Sequence, residues 1–319
     1  MLSQSAIRVR DLMHRSKVSG LLDCVGDVWT YRIMRSLLFR PRTFEGLISE
    51  LGISRGTLTA RLHRLEDAGL AKRREDGQTG YVACSAGAAL FEYILLFDCW
   101  ADRWHGDDPN DLQMPENKNI TPRIGLAAGF CANCDFPVQP SFLCRGCGHQ
   151  PLATQVKIPN TKILNTDPLG LGSAPKQTRQ RRGATEDRDG LWYSIMADRW
   201  SALVVACQFF GLHKFSEIEQ TLGIPASTLS NRLQQLTQQA IIVPHSRHSA
   251  DSRAEYILSA KGLSLYPTLL AAIRWAEKFV TEQDTGKLAL DHILCGRSLD
   301  VTLNCMRCKT EITTANLRY

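Results

Sequence analysis

Seven cysteines and one histidine fall into two clusters of identical spacing, Cys131-x2-Cys134-x9-Cys144-x2-Cys147 and His292-x2-Cys295-x9-Cys305-x2-Cys308. Two donors separated by two residues form a tight knuckle that can offer both to one tetrahedral ion, and two knuckles complete a four-ligand Zn2+ site. Gly146 and Gly148 suit the sharp turn of the first cluster's second knuckle. The exchange of Cys for His between clusters favours a metal over a disulfide, because imidazole is a good Zn2+ ligand and has no disulfide chemistry. Each cluster offers four protein ligands and no open position. Up to two structural ions are therefore expected, helping short segments fold without a sizeable core. The competing reading is a redox-sensing site that releases its ion when the thiolates oxidise.

The clusters belong to a longer repeat. Residues 26–70 realign on 197–241 at a constant offset of 171, pairing Trp29 with Trp200, Phe44 with Phe215, Leu51-Gly52-Ile53 with Leu222-Gly223-Ile224, and Arg61-Leu62 with Arg232-Leu233. The offset becomes 175 at Tyr81/Tyr256, Gly87/Gly262 and Trp100/Trp275, and 161 across the Cys/His clusters. Insertions thus fall between elements, as in a duplicated two-part module, and a two-fold chain suits a two-fold target.

The elements ahead of each cluster read as a winged helix-turn-helix. Val28, Trp29, Ile33, Met34, Leu37 and Leu38 form one helical stripe. Thr43 caps a second helix carrying Phe44, Leu47, Ile48 and Leu51, and Gly52 ends it. Ser54 caps a third, whose Leu58, Leu62 and Leu65 recur at helical spacing and leave a polar face outward. Residues 72–80 and 245–255 read as β-ribbon wings. The following helix, Leu90-Phe91-Glu92-Tyr93-Ile94-Leu95-Leu96-Phe97, is apolar on too many sides for one buried stripe. A partner helix, from the second repeat or another chain, would account for the excess.

The outward faces carry the candidate DNA contacts. In the first copy these are Ser54, Arg55, Thr57, Thr59, Arg61, His63 and Arg64. In the second they are Ser227, Thr228, Ser230, Asn231, Arg232, Gln234 and Gln235, with Arg247 and Arg253 in the wing. Asn and Gln can bond an adenine edge in the major groove, and Ser, Thr and Arg can reach phosphates or bases. Because the two faces differ, two bound half-sites should differ as well. Substituting Arg61 and Arg64 is expected to weaken binding and lower its salt dependence.

The pattern Gly-Asp-x-Trp, Arg-x-Phe-x-x-Leu, Leu-Gly-Ile-x-x-x-Thr-Leu-x-x-Arg-Leu-x-x-Leu, Ala-Gly-Leu and Tyr-x-x-x-x-x-Gly resembles the HxlR family of bacterial winged-helix transcriptional regulators. The resemblance covers about residues 20–105 and 192–281. It implies a cytoplasmic bacterial regulator that binds double-stranded DNA as a homodimer paired through outer helices, so a tandem could act as a fused pseudo-dimer. Some HxlR-like regulators sense oxidants through a cysteine before the first Trp helix, where Cys24 stands; its counterpart is Ile195. The second copy departs at Lys214-Phe215 and at Gln239-Ala240-Ile241, where the first has Arg42-Thr43-Phe44 and Ala68-Gly69-Leu70.

Bulk properties agree with that reading. The 319 residues suit two to four small domains, and 44% apolar and 22% charged residues describe a globular protein. No run reaches the ~18 apolar residues of a membrane span, and the N-terminus lacks a secretory signal. Eleven cysteines in a reducing compartment indicate metal binding. Net charge is +6, and residues 156–188 hold seven cationic residues against three anionic ones, a basic linker suited to phosphates or simply to solubility. No phosphate-binding loop, His-Glu-x-x-His or nucleophile elbow is present, so an enzyme is not expected. The expected fold is mainly α with small β-wings. Winged helices at 1–105 and 189–281 are each followed by a zinc-ribbon-like module, at 125–155 and 282–319, with linkers at 106–124 and 156–188. The rival function is a protein-interaction module docking on transcription machinery, and no small-molecule effector can be named.

Overall fold

The computed structural model describes residues 3–75, 77–104, 129–159, 198–245, 255–280 and 288–318. The chain opens with α1 (Gln4–Ser16) and α2 (Val18–Val25), joined at Lys17 in a left-handed conformation. The first repeat follows as α3 (Val28–Leu37), α4 (Phe44–Leu51), α5 (Arg55–Asp67), β1 (Ala71–Arg73), β2 (Tyr81–Ala83), α6 (Ser85–Ala88) and α7 (Phe91–Trp104). The expected caps are present. Thr43 Oγ1 accepts from Gly46 N at 3.0 Å, Gly52 ends α4 at φ 63°, and Ser54 Oγ accepts from Thr57 N at 3.2 Å. Leu58, Leu62 and Leu65 are fully buried and anchor α5, whereas the stripe on α3 rotates to bury Tyr31 in place of Trp29. Tyr31 turns inward because its hydroxyl finds Asp98 Oδ1 at 2.8 Å, and Arg35 Nε bonds the other oxygen at 2.7 Å. A buried carboxylate needs such partners.

The second repeat copies this plan with α8 (Arg199–Phe209), α9 (Phe215–Leu222), α10 (Ala226–Gln238), β7 (Ile242–His245), β8 (Glu255–Leu258), α11 (Ala260–Leu263) and α12 (Tyr266–Phe279). The matched glycines Gly87 and Gly262 have a packing reason. A Cβ at Gly87 would lie 2.0 Å from Leu70 O, and one at Gly262 would lie 2.2 Å from Ile241 O. Those carbonyls accept from Cys84 N and Ser259 N, so each glycine lets a short helix start against the end of the wing.

The two copies pack against each other. Helix α7 lies along α12, and its apolar excess is absorbed by the second repeat of the same chain. The contacts across this joint are reciprocal. Trp100 Nε1 donates to Lys261 O at 3.1 Å, and the equivalent Trp275 Nε1 donates to Ala86 O at 2.8 Å. Lys261 and Ala86 are themselves equivalent positions, so a pseudo-two-fold axis relates the copies. Residues 3–25 lie against the second copy: α1 packs on α9 and α2 on α8 and α12. Ser3 and Ser5 donate to Glu217 at 2.7 and 2.9 Å, and Arg10 Nη2 donates to Gln220 O at 2.8 Å.

The Cys/His segments add β3 (Phe130–Cys131), β4 (Phe136–Pro137), β5 (Pro140–Cys144), β6 (Val156–Lys157), β9 (Asp291–His292), β10 (Arg297–Ser298), β11 (Val301–Cys305) and β12 (Leu317–Arg318). Their sheets mix the copies, in the orders β12-β3-β4 and β10-β9-β6, with β5 and β11 antiparallel to each other. Phe142 pairs with Leu303, its own counterpart at offset 161, so the same pseudo-dyad passes through this pair. Both side chains are buried. The two ribbons thus form one interleaved body. Strand β6 extends this body into the expected linker at 156–188; the remainder of that linker beyond residue 159, and 106–124, lie outside the described residues.

Candidate nucleic-acid interface and metal centres

Helices α5 and α10 occupy equivalent places, and in each an arginine is locked by the aspartate that caps the first helix of its repeat. Asp27 Oδ1 accepts from Trp29 N and Thr30 N at 3.1 and 3.2 Å, and also from Arg61 Nε at 3.1 Å. In the second copy Asp198 caps α8 through Ser201 N at 2.9 Å and takes Arg232 in a two-pronged pair at 2.7 and 3.1 Å. Arg61 and Arg232 are only 15% and 14% exposed. Their carboxylate sits at a helix N-terminus, where the peptide dipoles also favour negative charge. These arginines tie α5 and α10 to the capped start of the first helix of their own repeat. Arg64 is turned the same way, to Asp23 O and to Asp27 Oδ2 at 3.5 Å, while Asp23 also holds Arg199 of the second copy at 2.6 Å.

The remaining expected contacts are distributed unevenly. Ser54, Arg55, Thr59 and His63 are exposed and Thr57 is half-buried, with Arg55 paired to Glu45 at 2.8 Å. On α10, Ser227, Ser230, Asn231, Gln234 and Gln235 are exposed and Thr228 is half-buried; Gln235 Oε1 accepts from Arg232 Nη1. The second face therefore presents amide groups where the first presents Arg55, His63 and hydroxyls. Arg247 and Arg253 lie outside the described residues.

The Cys/His clusters are grouped across the copies, which corrects the expectation of one site per copy. One group is Cys131, Cys134, Cys305 and Cys308, and the other is Cys144, Cys147, His292 and Cys295. Each joins the first knuckle of one copy to the second knuckle of the other. The reason is the strand exchange: β3 lies beside β12 and β6 beside β9, carrying the knuckles over to their opposite partners.

The donor geometry suits a tetrahedral ion. Within each group all ligand atoms lie within 4.8 Å of one another. Facing Sγ atoms are 3.7 Å apart at Cys131/Cys308, 4.0 Å at Cys134/Cys305 and 3.9 Å at Cys144/Cys295. A tetrahedron with Zn–S bonds of about 2.3 Å has edges of about 3.8 Å. His292 Nδ1 lies 3.3 Å from Cys147 Sγ and 3.5 Å from Cys295 Sγ, against about 3.5 Å for a mixed S–N edge. His292 is fully buried, and its Nε2 has no hydrogen-bond partner, so Nδ1 is the nitrogen turned to the thiols. Side-chain donors on Asn133 and Thr310 hold the Cys308 thiol down at about 5, whereas burial and adjacent thiols push Cys134 up to about 12. Four thiols this close resist ionising together, and a dication would relieve that crowding.

The HxlR-like helix-turn-helix family model matches residues 24–109 and 195–284, more than half of the chain. The chain belongs to the HxlR family. An uncharacterised HTH-type transcriptional regulator of Mycobacterium bovis is 32% identical over 125 residues, which span 39% of this chain and 78% of that protein. The Bacillus subtilis HTH-type transcriptional regulator YodB is 28% identical over 94 residues, spanning 29% of this chain and 84% of YodB. The solved structure of PA1607, a candidate transcription factor, is 27% identical and covers 39% of this chain and 87% of its own, with a TM-score of 0.36. The two sequence alignments, over 125 and 94 residues, each have room for one HxlR domain, whereas this chain carries two.

One HxlR feature of the sequence acquires a physical reason here. The Asp of the Gly-Asp-x-Trp pattern is both helix cap and arginine clamp, a link that spacing alone did not reveal. A signal existed, since Asp27/Arg61 and Asp198/Arg232 share one separation of 34 residues. Cys24 is half-buried on α2, and burial and Asp23 raise its pKa against a lesser opposing pull from Arg64. Cys99 and Cys207 are also pushed up by burial, as expected of thiols used as core filler. Among the described residues no helix is long and apolar enough to cross a membrane.

Proposed function

We propose that this HxlR protein is a non-enzymatic bacterial transcriptional regulator that reads double-stranded DNA as a single-chain pseudo-dimer in the cytoplasm. The observation that carries this reading is the reciprocal joint, Trp100 to Lys261 and Trp275 to Ala86, which relates α5 and α10 by a pseudo-dyad. Two helices so related suit successive major grooves about one turn, ~34–36 Å, apart. The exposed side chains of α5 and α10 read base edges and phosphates, while Arg61, Arg64 and Arg232 hold the helices at their angle. Each four-ligand Cys/His group holds one structural Zn2+, with no position left for catalysis.

Selection of bound duplexes from a random pool tests this reading. The expected result is an enriched two-part site with unlike halves at one-turn spacing. A symmetric site would instead indicate a homodimer using one copy of the repeat. Absence of enrichment would overturn the sequence-specific reading in favour of a protein-interaction module.

A further inference from the structure

We infer that the two metal ions act as staples between the copies, and that their occupancy keeps the two HxlR domains locked as one unit. This rests on the zinc reading above but not on DNA binding. The fold is what carries it. The peptide connection between the copies runs through residues 160–197, and neither copy can complete a four-ligand site from its own knuckles as the strands are arranged. An ion in either group therefore ties β3 or β9 of one copy to the second knuckle of the other. Without an ion the facing knuckles are joined by strand pairing alone, since all eleven cysteines are free thiols and no disulfide links the copies.

The interleaved ribbon body is coupled to the helices it joins. It packs against α7 through β5. Cys99 Sγ on α7 approaches Val138 O at 3.9 Å, and the Arg274 guanidinium on α12 lies 5.5 Å from the centre of the Phe142 ring. Phe142 belongs to the axial β5–β11 pair, so the metal body and the α7–α12 joint share one axis and one continuous apolar core. Ion binding displaces the remaining thiol protons to solvent and leaves the sulfurs as thiolates, with no change of oxidation state. One group is all thiol and the other has an imidazole in place of one thiol, so the two staples should differ in how readily they yield to a chelator.

The pairing is tested by counting ions in the full-length Zn2+-loaded protein by native mass spectrometry. Wild type should hold two. Cys131→Ser with Cys305→Ser removes two ligands of one site and should leave one ion. Cys131→Ser with Cys144→Ser damages both sites and should leave none. The opposite result, one ion in the second variant and none in the first, would overturn the cross-copy arrangement. A wild type without metal would overturn the zinc reading beneath it. Should both variants lose every ion through misfolding, the wild type loaded with 113Cd2+ still separates the alternatives. Scalar couplings should connect one cadmium to Cys131, Cys134, Cys305 and Cys308, and couplings to Cys131, Cys134, Cys144 and Cys147 would sink the proposal. The locking itself is read by hydrogen exchange, which should accelerate in both α7 and α12 when the wild type is chelated. Unchanged exchange in the two helices would show that the ions do not hold the joint.

Discussion

Asp27 and Asp198 show how a single carboxylate connects two helices. It satisfies the open N–H groups at one helix start and holds the arginine of the recognition helix beside it. A half-buried, hydrogen-bonded ion pair contributes more than an exposed one, and solvent screening still limits it. Arg61→Ala should therefore lower unfolding stability by about 1–2 kcal/mol, read from the urea midpoint. An unchanged midpoint with weakened DNA binding would return Arg61 to the role of a direct phosphate or base contact. Cys24 makes a second prediction. The thiolate is the reactive form, and burial with Asp23 keeps Cys24 above the ordinary thiol range. At neutral pH its alkylation should run slower than that of free cysteine. Faster alkylation would favour the oxidant-sensing reading that its position suggests.

At the level of the elements, the recognition helices end differently. Gly69 closes the first at φ 65°, while Ala240 occupies the same left-handed conformation at φ 51° in the second. An L-residue is strained there by roughly 1–2 kcal/mol, partly offset because glycine is freer in the unfolded chain by roughly 0.5–1 kcal/mol. Ala240→Gly should thus stabilise the protein by up to about 1 kcal/mol, seen as a higher melting temperature. A lower melting temperature would mean that the Ala240 methyl group contributes packing that outweighs its strain. Helix α7 makes the complementary point about burial. Its excess of apolar side chains predicts a second packing partner, and that partner is α12. Hydropathy reports how many faces are covered and says nothing of which element covers them.

For the molecule as a whole, two unlike recognition faces on one chain predict a distinctive salt response. Binding to phosphates releases condensed counterions in proportion to the contacts made. On a two-part site the slope of log affinity against log salt should be steeper than on an isolated half-site, as the proposed engagement of both winged helices requires. Equal slopes would mean that only one copy touches DNA. The N-terminal helices bear on the same question. Residues 3–25 precede the first repeat in sequence yet pack on the second, adding the Ser3–Glu217 and Arg10–Gln220 contacts to the joint. The two copies are consequently tied at α1–α2, at α7–α12 and at the ribbons.

Much of this was legible from local order along the chain. Leu58, Leu62 and Leu65 recur at the helical period, Thr43, Ser54 and Gly52 mark helix ends, and the two clusters repeat their spacing, because caps, amphipathic stripes and knuckles depend on residues a few positions apart. The same sequence left open which knuckle meets which. A duplicated chain has two equivalent partners for every strand, and the ligand spacing within a copy is the same whichever partner it takes. Only the tertiary arrangement of β3 on β12 and β6 on β9 resolves that choice. The inward turn of Arg61 is decided in the same way. Its helical position is compatible with a DNA-facing role, and the carboxylate that claims it lies 34 residues away in sequence but 3.1 Å away in space.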